Sequence, residues 1–265
     1  MLGSVSDLVL PRVCVVCGRT LMRSERHICT VCEADLPRTF FSARRDNPMA
    51  LAFNGLIERE PATGFQPFSY AAALLYYRED SPYGRIPQAL KYGRNFGAGK
   101  YFAQMLGREM AASGLFADVD AIVPVPLHWA RRWRRGYNQA EILARGIAEE
   151  LKGNAESYGS AAPVLNRVLR RVRRTGTQTR LHHDDRYANV KSAFEADVKA
   201  LLSIGITAGP NDRPLHLLLV DDVFTTGSTL LACERALRRG LAEAFGPADA
   251  SRVRISVATL SYVGK

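Results

Sequence analysis

The stretch Leu217-Leu-Leu-Val-Asp-Asp-Val-Phe-Thr-Thr-Gly-Ser-Thr229 decides the fold class. Its first four residues are apolar without helical spacing, which is typical of a central strand in a parallel sheet. Two acids and a hydroxyl-rich loop follow, and a helical pattern then begins near Ser228, with Leu230, Cys233 and Leu237 on one face. A buried strand, a short loop and a helix in this order predict an α/β domain.

Further strands and helices extend this domain in both directions. Short apolar runs at Ala121–Val125 and Val253–Leu260 predict two more strands, and Leu143, Ile147 and Leu151 repeat with helical spacing between them. Residues 84–112 are also expected to be mainly helical. We therefore predict a mainly parallel sheet flanked by helices over residues 69–265, with 69–115 as a cap region and 46–68 as a linker before it.

The acids and the loop after the predicted strand have the chemistry of a sugar-phosphate site. Ligands of open α/β sheets bind at the carboxyl ends of the strands, and a helix N-terminus favours phosphate. Hydroxyl groups would donate to the phosphate, and Gly227 lets the backbone wrap it. Asp221 and Asp222 would accept hydrogen bonds from ribose hydroxyls and help to place magnesium. The hydroxyl residues are Thr225, Thr226, Ser228 and Thr229.

Two other interpretations of these sequence patterns are possible. The 217–229 stretch could be an ordinary capped strand–helix turn without a ligand. The segment Gly93–Lys100 approaches a nucleotide-binding P-loop, but it has one residue too many and Tyr101 stands where Ser or Thr is required. The 217–229 stretch is therefore the favoured phosphate site.

Four cysteines near the N-terminus have the spacing of a metal site. Cys14, Cys17, Cys29 and Cys32 form C-x2-C-x11-C-x2-C, the ligand set of a closed structural zinc ribbon, which we place at residues 1–45. An iron site of the rubredoxin type and a redox dithiol pair are the alternatives. His27 could replace one ligand but is more simply a surface residue, and Cys233 is expected to be a small buried apolar residue.

Charge and composition narrow the class of protein. Among 265 residues, Lys plus Arg number 36 and Asp plus Glu 26, so the net charge is +10. Residues 120–180 hold twelve basic residues, eleven of them arginine, against five acids, which favours phosphate contacts over a merely solvated helix face. A hydrophobic share of 47% and a charged share of 23% exclude disordered, collagenous and coiled-coil chains.

The same features predict the compartment. The start of the chain lacks the basic and apolar regions of a secretory signal, so we expect a cytoplasmic protein. The longest apolar run, Tyr70–Tyr77, is much shorter than the roughly 18 residues that a membrane span needs, so no span is expected.

The 217–229 stretch resembles the phosphoribosyl pyrophosphate motif of type I phosphoribosyltransferases. Further segments are similar to those of the ComF family of competence-associated, amidophosphoribosyltransferase-like proteins, whose pattern includes the zinc ribbon. These segments are Ala89–Gly93, Val123–His128, Arg134–Ala140, Thr177–Arg180 and Arg186–Phe194.

The resemblance implies a ligand site with three parts. Asp221 to Thr229 would hold the ribose and 5-phosphate of phosphoribosyl pyrophosphate, with magnesium, and the two acids would be the catalytic residues. Residues 173–190 would form a mobile loop that closes over the site. The residues that would face the pyrophosphate or belong to that loop are Arg131, Arg132, Arg134, Arg135, Gln178, Arg180, Arg186 and Asn189.

Two functions follow, and both could hold. The first is a protein of DNA uptake and natural transformation that binds phosphoribosyl pyrophosphate and single-stranded DNA, with a competence helicase or other DNA-uptake proteins as implied partners. Trp129, Trp133 and Tyr137 alternate with arginines, a combination that stacks bases and binds phosphates, although such aromatics also serve as core. The second is an active phosphoribosyltransferase in which a nitrogen acceptor displaces pyrophosphate. Regulation by the bound ligand without turnover is a third possibility.

Overall fold

The computed structural model describes residues 12–59, 66–92, 95–127, 136–151, 162–172, 193–203 and 213–264. Their strands are β1 (Ala71–Tyr76), β2 (Ala121–Pro124), β3 (Leu169–Arg171), β4 (Phe194–Ala196), β5 (His216–Phe224) and β6 (Arg254–Tyr262). Their α-helices are α1 (Thr30–Ala34), α2 (Pro48–Glu58), α3 (Arg85–Tyr92), α4 (Phe96–Ser113), α5 (Gln139–Leu151), α6 (Val198–Ser203), α7 (Ser228–Phe245) and α8 (Pro247–Arg252). Short 3-10 helices occupy Phe41–Ala43 and Pro82–Gly84.

The centre of the molecule is a parallel four-stranded sheet in the order β1-β6-β5-β2. Helices cover both of its faces, so the predicted α/β class is confirmed. Within the described residues, no helix combines the length and the apolar character that crossing a membrane requires.

Alternation along β5 builds two cores. Leu217 and Leu219 pack in the core that contains α2 and α7, whereas Leu218 and Val220 pack in the core that contains α4 and α5. Because successive side chains of a strand point to opposite faces, one apolar run serves both layers. Cys233 of α7 is fully buried in the first core, as expected.

Strand β5 is longer than the apolar run predicts. The sequence predicted a strand that ends at Val220, just before the two acids, but pairing with β6 continues from Asp221 opposite Thr259 to Phe224 opposite Tyr262. Pairing with β2 stops at Val220. The acids therefore lie on a part of β5 that extends beyond its neighbour β2.

The segment expected to be a linker contains a packed helix. Within residues 46–68, α2 begins after Asn47, whose side chain accepts a hydrogen bond of 2.9 Å from the Ala50 N–H. Met49 and Phe53 are fully buried against the sheet. Burial of this apolar face fixes the segment to the core, so at least residues 48–58 are not a linker.

The expected cap region, residues 69–115, is partly a strand of the main sheet. β1 pairs with β6 in parallel register, with Ala71 opposite Val257 and Tyr76 opposite Tyr262. The rest of the region is mainly helical, as predicted for 84–112, and consists of α3 and α4. Within the described part of residues 69–115, α3 and α4 could therefore form a cap, whereas β1 belongs to the sheet itself.

Candidate functional site

The four predicted cysteines lie together. All four sulfur atoms are within 4.8 Å of one another, and the Sγ atoms of Cys17 and Cys29 are 3.8 Å apart. Zinc–sulfur bonds of about 2.3 Å in a tetrahedron put neighbouring sulfurs about 3.8 Å apart. The cluster, formed by Cys14, Cys17, Cys29 and Cys32, can therefore bind a metal such as zinc, and its donor set fits a closed structural site.

Backbone donors around Cys14 and Cys29 favour the thiolate form that a metal requires, whereas burial raises the pKa of Cys32. The N–H of Cys32 donates to Cys29 Sγ, and the N–H of Cys29 donates to Cys14 Sγ, each at 3.4 Å. The Cys32 N–H contributes most to lowering the pKa of Cys29 to about 6, and Arg19 adds to the effect. A thiol with a lowered pKa gives up its proton to a metal at smaller cost.

Glu25 connects the two cysteine turns. Its buried carboxylate accepts 2.8 Å hydrogen bonds from the N–H groups of Thr30 and Met22, and Arg19 lies 2.6 Å away. The Thr30 and Met22 donors lower the pKa of Glu25 to about 2. An ionised carboxylate therefore holds the turn before α1 in place, a role that the cysteine pattern did not indicate.

The cysteine knuckle (residues 12–35) is packed against α3 and α4. Tyr101 of α4 donates to Glu33 Oε1 at 3.0 Å, and Tyr83 just before α3 donates to Asp35 Oδ2 at 2.9 Å. His27, expected at the surface, is instead half-buried, with its ring centroid 5.7 Å from that of Tyr101. The knuckle therefore packs on α3 and α4, the helices beside the sheet.

The acid loop (residues 221–229) lies at the carboxyl end of β5. Asp221 and Asp222 are half-buried, and the Asp222 N–H donates to Asp221 Oδ1 at 2.8 Å. Burial and the adjacent Asp222 carboxylate raise the pKa of Asp221 to about 7. Two carboxylates in one half-buried position are an arrangement that a cation stabilises.

The hydroxyl groups of the loop surround the start of α7. Thr225 and Thr226 are exposed, and the hydroxyls of Thr226 and Ser228 are 2.9 Å apart. Gly227 has a φ of 76°, and α7 begins at the next residue. The first N–H groups of a helix have no partners within it, and the Ser228 N–H of α7 donates to Thr226 Oγ1 at 3.5 Å. Hydroxyl groups beside a helix start are donors that could bind an anion.

Comparisons with known proteins agree with the motifs. No family model matches the chain. Competence protein F of Haemophilus influenzae is 33% identical over 162 residues, which cover 60% of this chain and 62% of that protein, just under two thirds of its length. DNA utilization protein YhgH of Salmonella typhimurium is 29% identical over 240 residues, which cover 88% of this chain and 93% of the relative. The chain belongs to the ComF family. A second YhgH protein, from Salmonella typhi, is 28% identical over 239 residues.

In this ComF-family chain, Lys91 and Arg171 are two cations near the acid loop. Neither was among the predicted site residues. Lys91 Nζ at the end of α3 is 3.1 Å from Asp222 Oδ2. The charge of Arg171, the last residue of β3, lowers the pKa of Asp221, as does that of Lys91. Lys91 belongs to the Ala89–Gly93 segment, so the motif itself was a signal; Arg171 stands outside the segments that carried the resemblance.

The predicted pyrophosphate and mobile-loop residues of this ComF-family chain fall outside the described residues. They are Arg131, Arg132, Arg134, Arg135, Gln178, Arg180, Arg186 and Asn189, and the stretch 173–190 and the tryptophans at 129 and 133 fall outside as well. The residues that flank the arginine segment are described. The Val125 N–H donates to Val220 O at 2.9 Å, and Asn138 Nδ2 donates to Val125 O at 3.0 Å. Val125 therefore lies next to β5, and Asn138 on the other side of the segment contacts Val125.

Tyr137 has a structural position in this family member. Its hydroxyl donates to the Leu90 carbonyl, and its ring packs edge-on against Phe96 with the centroids 4.5 Å apart. The ring was one of three predicted to stack bases. In the described part of the chain it instead connects the start of α5 with α3 and α4.

Proposed function

We propose that this ComF-family protein binds phosphoribosyl pyrophosphate with magnesium at the acid loop and acts on single-stranded DNA during DNA uptake. The observation that carries the ligand proposal is the combination at the end of β5: two adjacent carboxylates, a hydroxyl-rich turn and the first N–H groups of α7. Carboxylates match ribose hydroxyls and magnesium, and the turn and helix start match a phosphate.

Different residues of the acid loop would bind different parts of the ligand. Asp221 and Asp222 would accept hydrogen bonds from the ribose hydroxyls, while Thr225, Thr226, Ser228 and Thr229 would donate to the 5-phosphate. Bound magnesium would supply charge neutralisation for the diphosphate. The pKa of Asp221 is raised to about 7. Because magnesium and ribose hydroxyls bind the ionised carboxylate, ligand binding would favour loss of the Asp221 proton at neutral pH.

The DNA proposal draws on the relatives and on charge. One relative is named Competence protein F and others DNA utilization protein. The net charge of +10 exceeds what one small anion neutralises. On the knuckle, Arg23 and Arg26 are exposed. Basic groups attract the phosphates of a single strand.

A binding titration tests the DNA proposal. A fluorescent oligothymidylate should bind the zinc-loaded protein at low salt, and the logarithm of its affinity should fall with that of the salt concentration by about 0.7 per phosphate contacted. An Arg23→Gln/Arg26→Gln variant should show a smaller slope. Absence of binding at low salt would remove DNA from the proposal.

We further propose that other DNA-uptake proteins, such as a helicase, act on the same strand.

Transfer of the phosphoribosyl group is a second candidate function. The paired carboxylates of Asp221 and Asp222 favour it, because they can stabilise the positive charge that develops on the ribose ring. In the reaction, the bond between the anomeric carbon and pyrophosphate breaks, a carbon–nitrogen bond forms, and the nitrogen passes its proton to the departing pyrophosphate or to water. The developing charges are those that the acids, the magnesium and nearby cations would stabilise.

Pyrophosphate release separates the second candidate from binding alone. The protein should release pyrophosphate from phosphoribosyl pyrophosphate with at least one acceptor in a panel of ammonia, amines and nucleobases, and Asp221→Asn should abolish the release. If no acceptor raises release above the uncatalysed rate while binding persists, transfer is excluded and the ligand acts without turnover.

A further inference from the structure

In the described part of the chain, Lys91 forms an ion pair with Asp222 of the acid loop. It lies in the last turn of α3, where a basic residue also favours the helix dipole. Its Nζ is 3.1 Å from Asp222 Oδ2, and the side chains of Lys91 and Asp222 are 27% and 19% exposed. Partial burial keeps water from screening this ion pair as strongly as it screens a surface pair.

The backbone beneath Lys91 is held from both ends of α3. The carbonyl of Leu90 accepts a hydrogen bond from the Tyr137 hydroxyl, and Tyr137 is itself packed against Phe96. At the start of the helix, Arg85 Nη1 donates to Val16 O of the knuckle at 2.9 Å. The helix is thereby fixed, whereas the four-carbon stem of Lys91 can rotate its ammonium between acceptors.

The Asp222 carboxylate has two competing uses. A hard divalent cation binds carboxylate oxygens, and Lys91 contacts one of these oxygens on Asp222. A cation at Asp222 therefore has to displace the ammonium. A diphosphate delivered with that cation brings new anionic acceptors to the place where the ammonium is released.

We propose that Lys91 is a ligand-binding residue that pairs with Asp222 while the site is free and moves to the diphosphate when a divalent cation binds Asp222. The inference rests on the proposed function, because it requires the diphosphate ligand at the acid loop. It assigns a binding role to a residue of the Ala89–Gly93 segment. It also explains why a cation lies at a site that otherwise has to attract magnesium.

Two titrations of the zinc-loaded protein test the role, one with Mn²⁺ alone followed by electron paramagnetic resonance, and one with magnesium and phosphoribosyl pyrophosphate followed by calorimetry. Lys91→Gln should bind Mn²⁺ alone more tightly, because the competing ammonium is gone. It should bind the magnesium-supported ligand about tenfold or more weakly, the effect of one lost charge-assisted hydrogen bond. This opposite change in two affinities is not expected of a residue that merely supports the fold.

Two variants control for stability and for general loss of charge. Lys91→Arg keeps the charge and should bind the ligand more tightly than Lys91→Gln. Lys100→Gln removes a lysine from neighbouring α4, whose Nζ is 2.9 Å from Glu149 Oε1, and should match the wild type in both titrations. Circular dichroism of each variant checks that the fold is retained.

Each other outcome overturns a defined part of the proposal. If the wild type binds no ligand, or binds it as well after Asp222→Asn, both the proposed function and the role of Lys91 are wrong. If the wild type binds through Asp222 and Lys91→Gln matches Lys100→Gln, only the role of Lys91 is wrong. If Lys91→Gln weakens both Mn²⁺ and ligand binding, Lys91 serves the structure of the site and does not exchange partners.

Discussion

Arg85 and Val16 connect the two candidate sites. Arg85 Nη1 at the start of α3 donates to the Val16 carbonyl in the cysteine knuckle at 2.9 Å, and the other end of α3 carries Lys91 to Asp222. A short helix therefore runs from the metal site to the ligand site. Because α3 is held at both ends, order in the knuckle supports order at the acid loop.

The first prediction concerns that connection. Arg85→Ala should lower the free energy of unfolding by about 1.5 kcal/mol, the lower end of the range for one hydrogen bond that involves a charged group. It should also weaken ligand binding, because α3 gains freedom. Arg78→Ala is the matched control, since Arg78 pairs with Asp80 at 3.4 Å with both side chains about three-quarters exposed. Urea denaturation and ligand titration of both variants give the comparison, and equal behaviour would contradict the connection.

The second prediction concerns the metal. We expect about one zinc per chain in the purified protein and none in Cys14→Ser/Cys17→Ser, because two of the four ligands are lost. The variant should also unfold at a lower temperature, since the metal supplies much of the folding free energy of so small a knuckle. Cys233→Ala removes a buried cysteine outside the cluster and should keep its zinc. Metal analysis by mass spectrometry decides, and iron in place of zinc would revise the metal.

The third prediction concerns pH. The pKa of Asp221 is raised to about 7 in the folded protein, against about 4 in an unfolded chain. The folded state therefore holds this proton more tightly, and the stability that protonation contributes is lost as pH rises from about 4 through about 7. Asp221→Asn should abolish that part of the pH dependence.

Melting temperatures of the wild type and of Asp221→Asn between pH 5 and pH 8 measure this effect. The variant should gain stability relative to the wild type towards pH 8. Ligand binding has the opposite dependence, because magnesium requires the carboxylate form, so wild-type affinity should rise up to about pH 7 and then level off. Parallel pH profiles for the two proteins would mean that Asp221 is already ionised well below neutrality.

The fourth prediction concerns the turn of the acid loop. At Gly227 the φ is 76°, and a Cβ there would lie 2.8 Å from Leu56 Cδ1 and from Phe224 Cζ. Gly227→Ala should therefore cost more than the roughly 1 kcal/mol of a left-handed alanine, and it should distort the phosphate turn. Gly114→Ala is the control, because its φ of 74° is nearly the same but nothing lies within 4 Å of a new Cβ. Equal destabilisation of the two variants would show that the loop has room to adjust.

Local sequence patterns predicted those parts of the molecule that are local in the chain. β5, the acid loop and α7 follow one another directly, and the cysteine spacing brings together residues of two short turns. α2 also had a local signal, because Asn47 and Pro48 form a favourable helix start, but the surrounding sequence suggested a linker. β1 had none, since its alanine-rich run shows no alternation and has no strand preference.

Contacts between distant segments could not be predicted. Lys91 meets Asp222 only because α3 packs against the sheet at the edge where β5 ends, and Arg85 meets Val16 only because the knuckle packs against α3. Glutamate is usually exposed, so the sequence did not distinguish Glu25 from other acids. Its role follows from the Met22 and Thr30 N–H groups that donate to its carboxylate. Each of these roles depends on tertiary packing, which residue spacing does not encode.

Calorimetric titration of magnesium and phosphoribosyl pyrophosphate into the zinc-loaded protein at pH 8 measures whether the acid loop binds this ligand. We predict saturable binding of one ligand per chain that requires magnesium and is lost in Asp221→Asn/Asp222→Asn, while Asp80→Asn, at an exposed acid away from the loop, binds like the wild type. No heat with the wild type, or undiminished affinity in the double variant, would contradict the assignment of the acid loop as the ligand site.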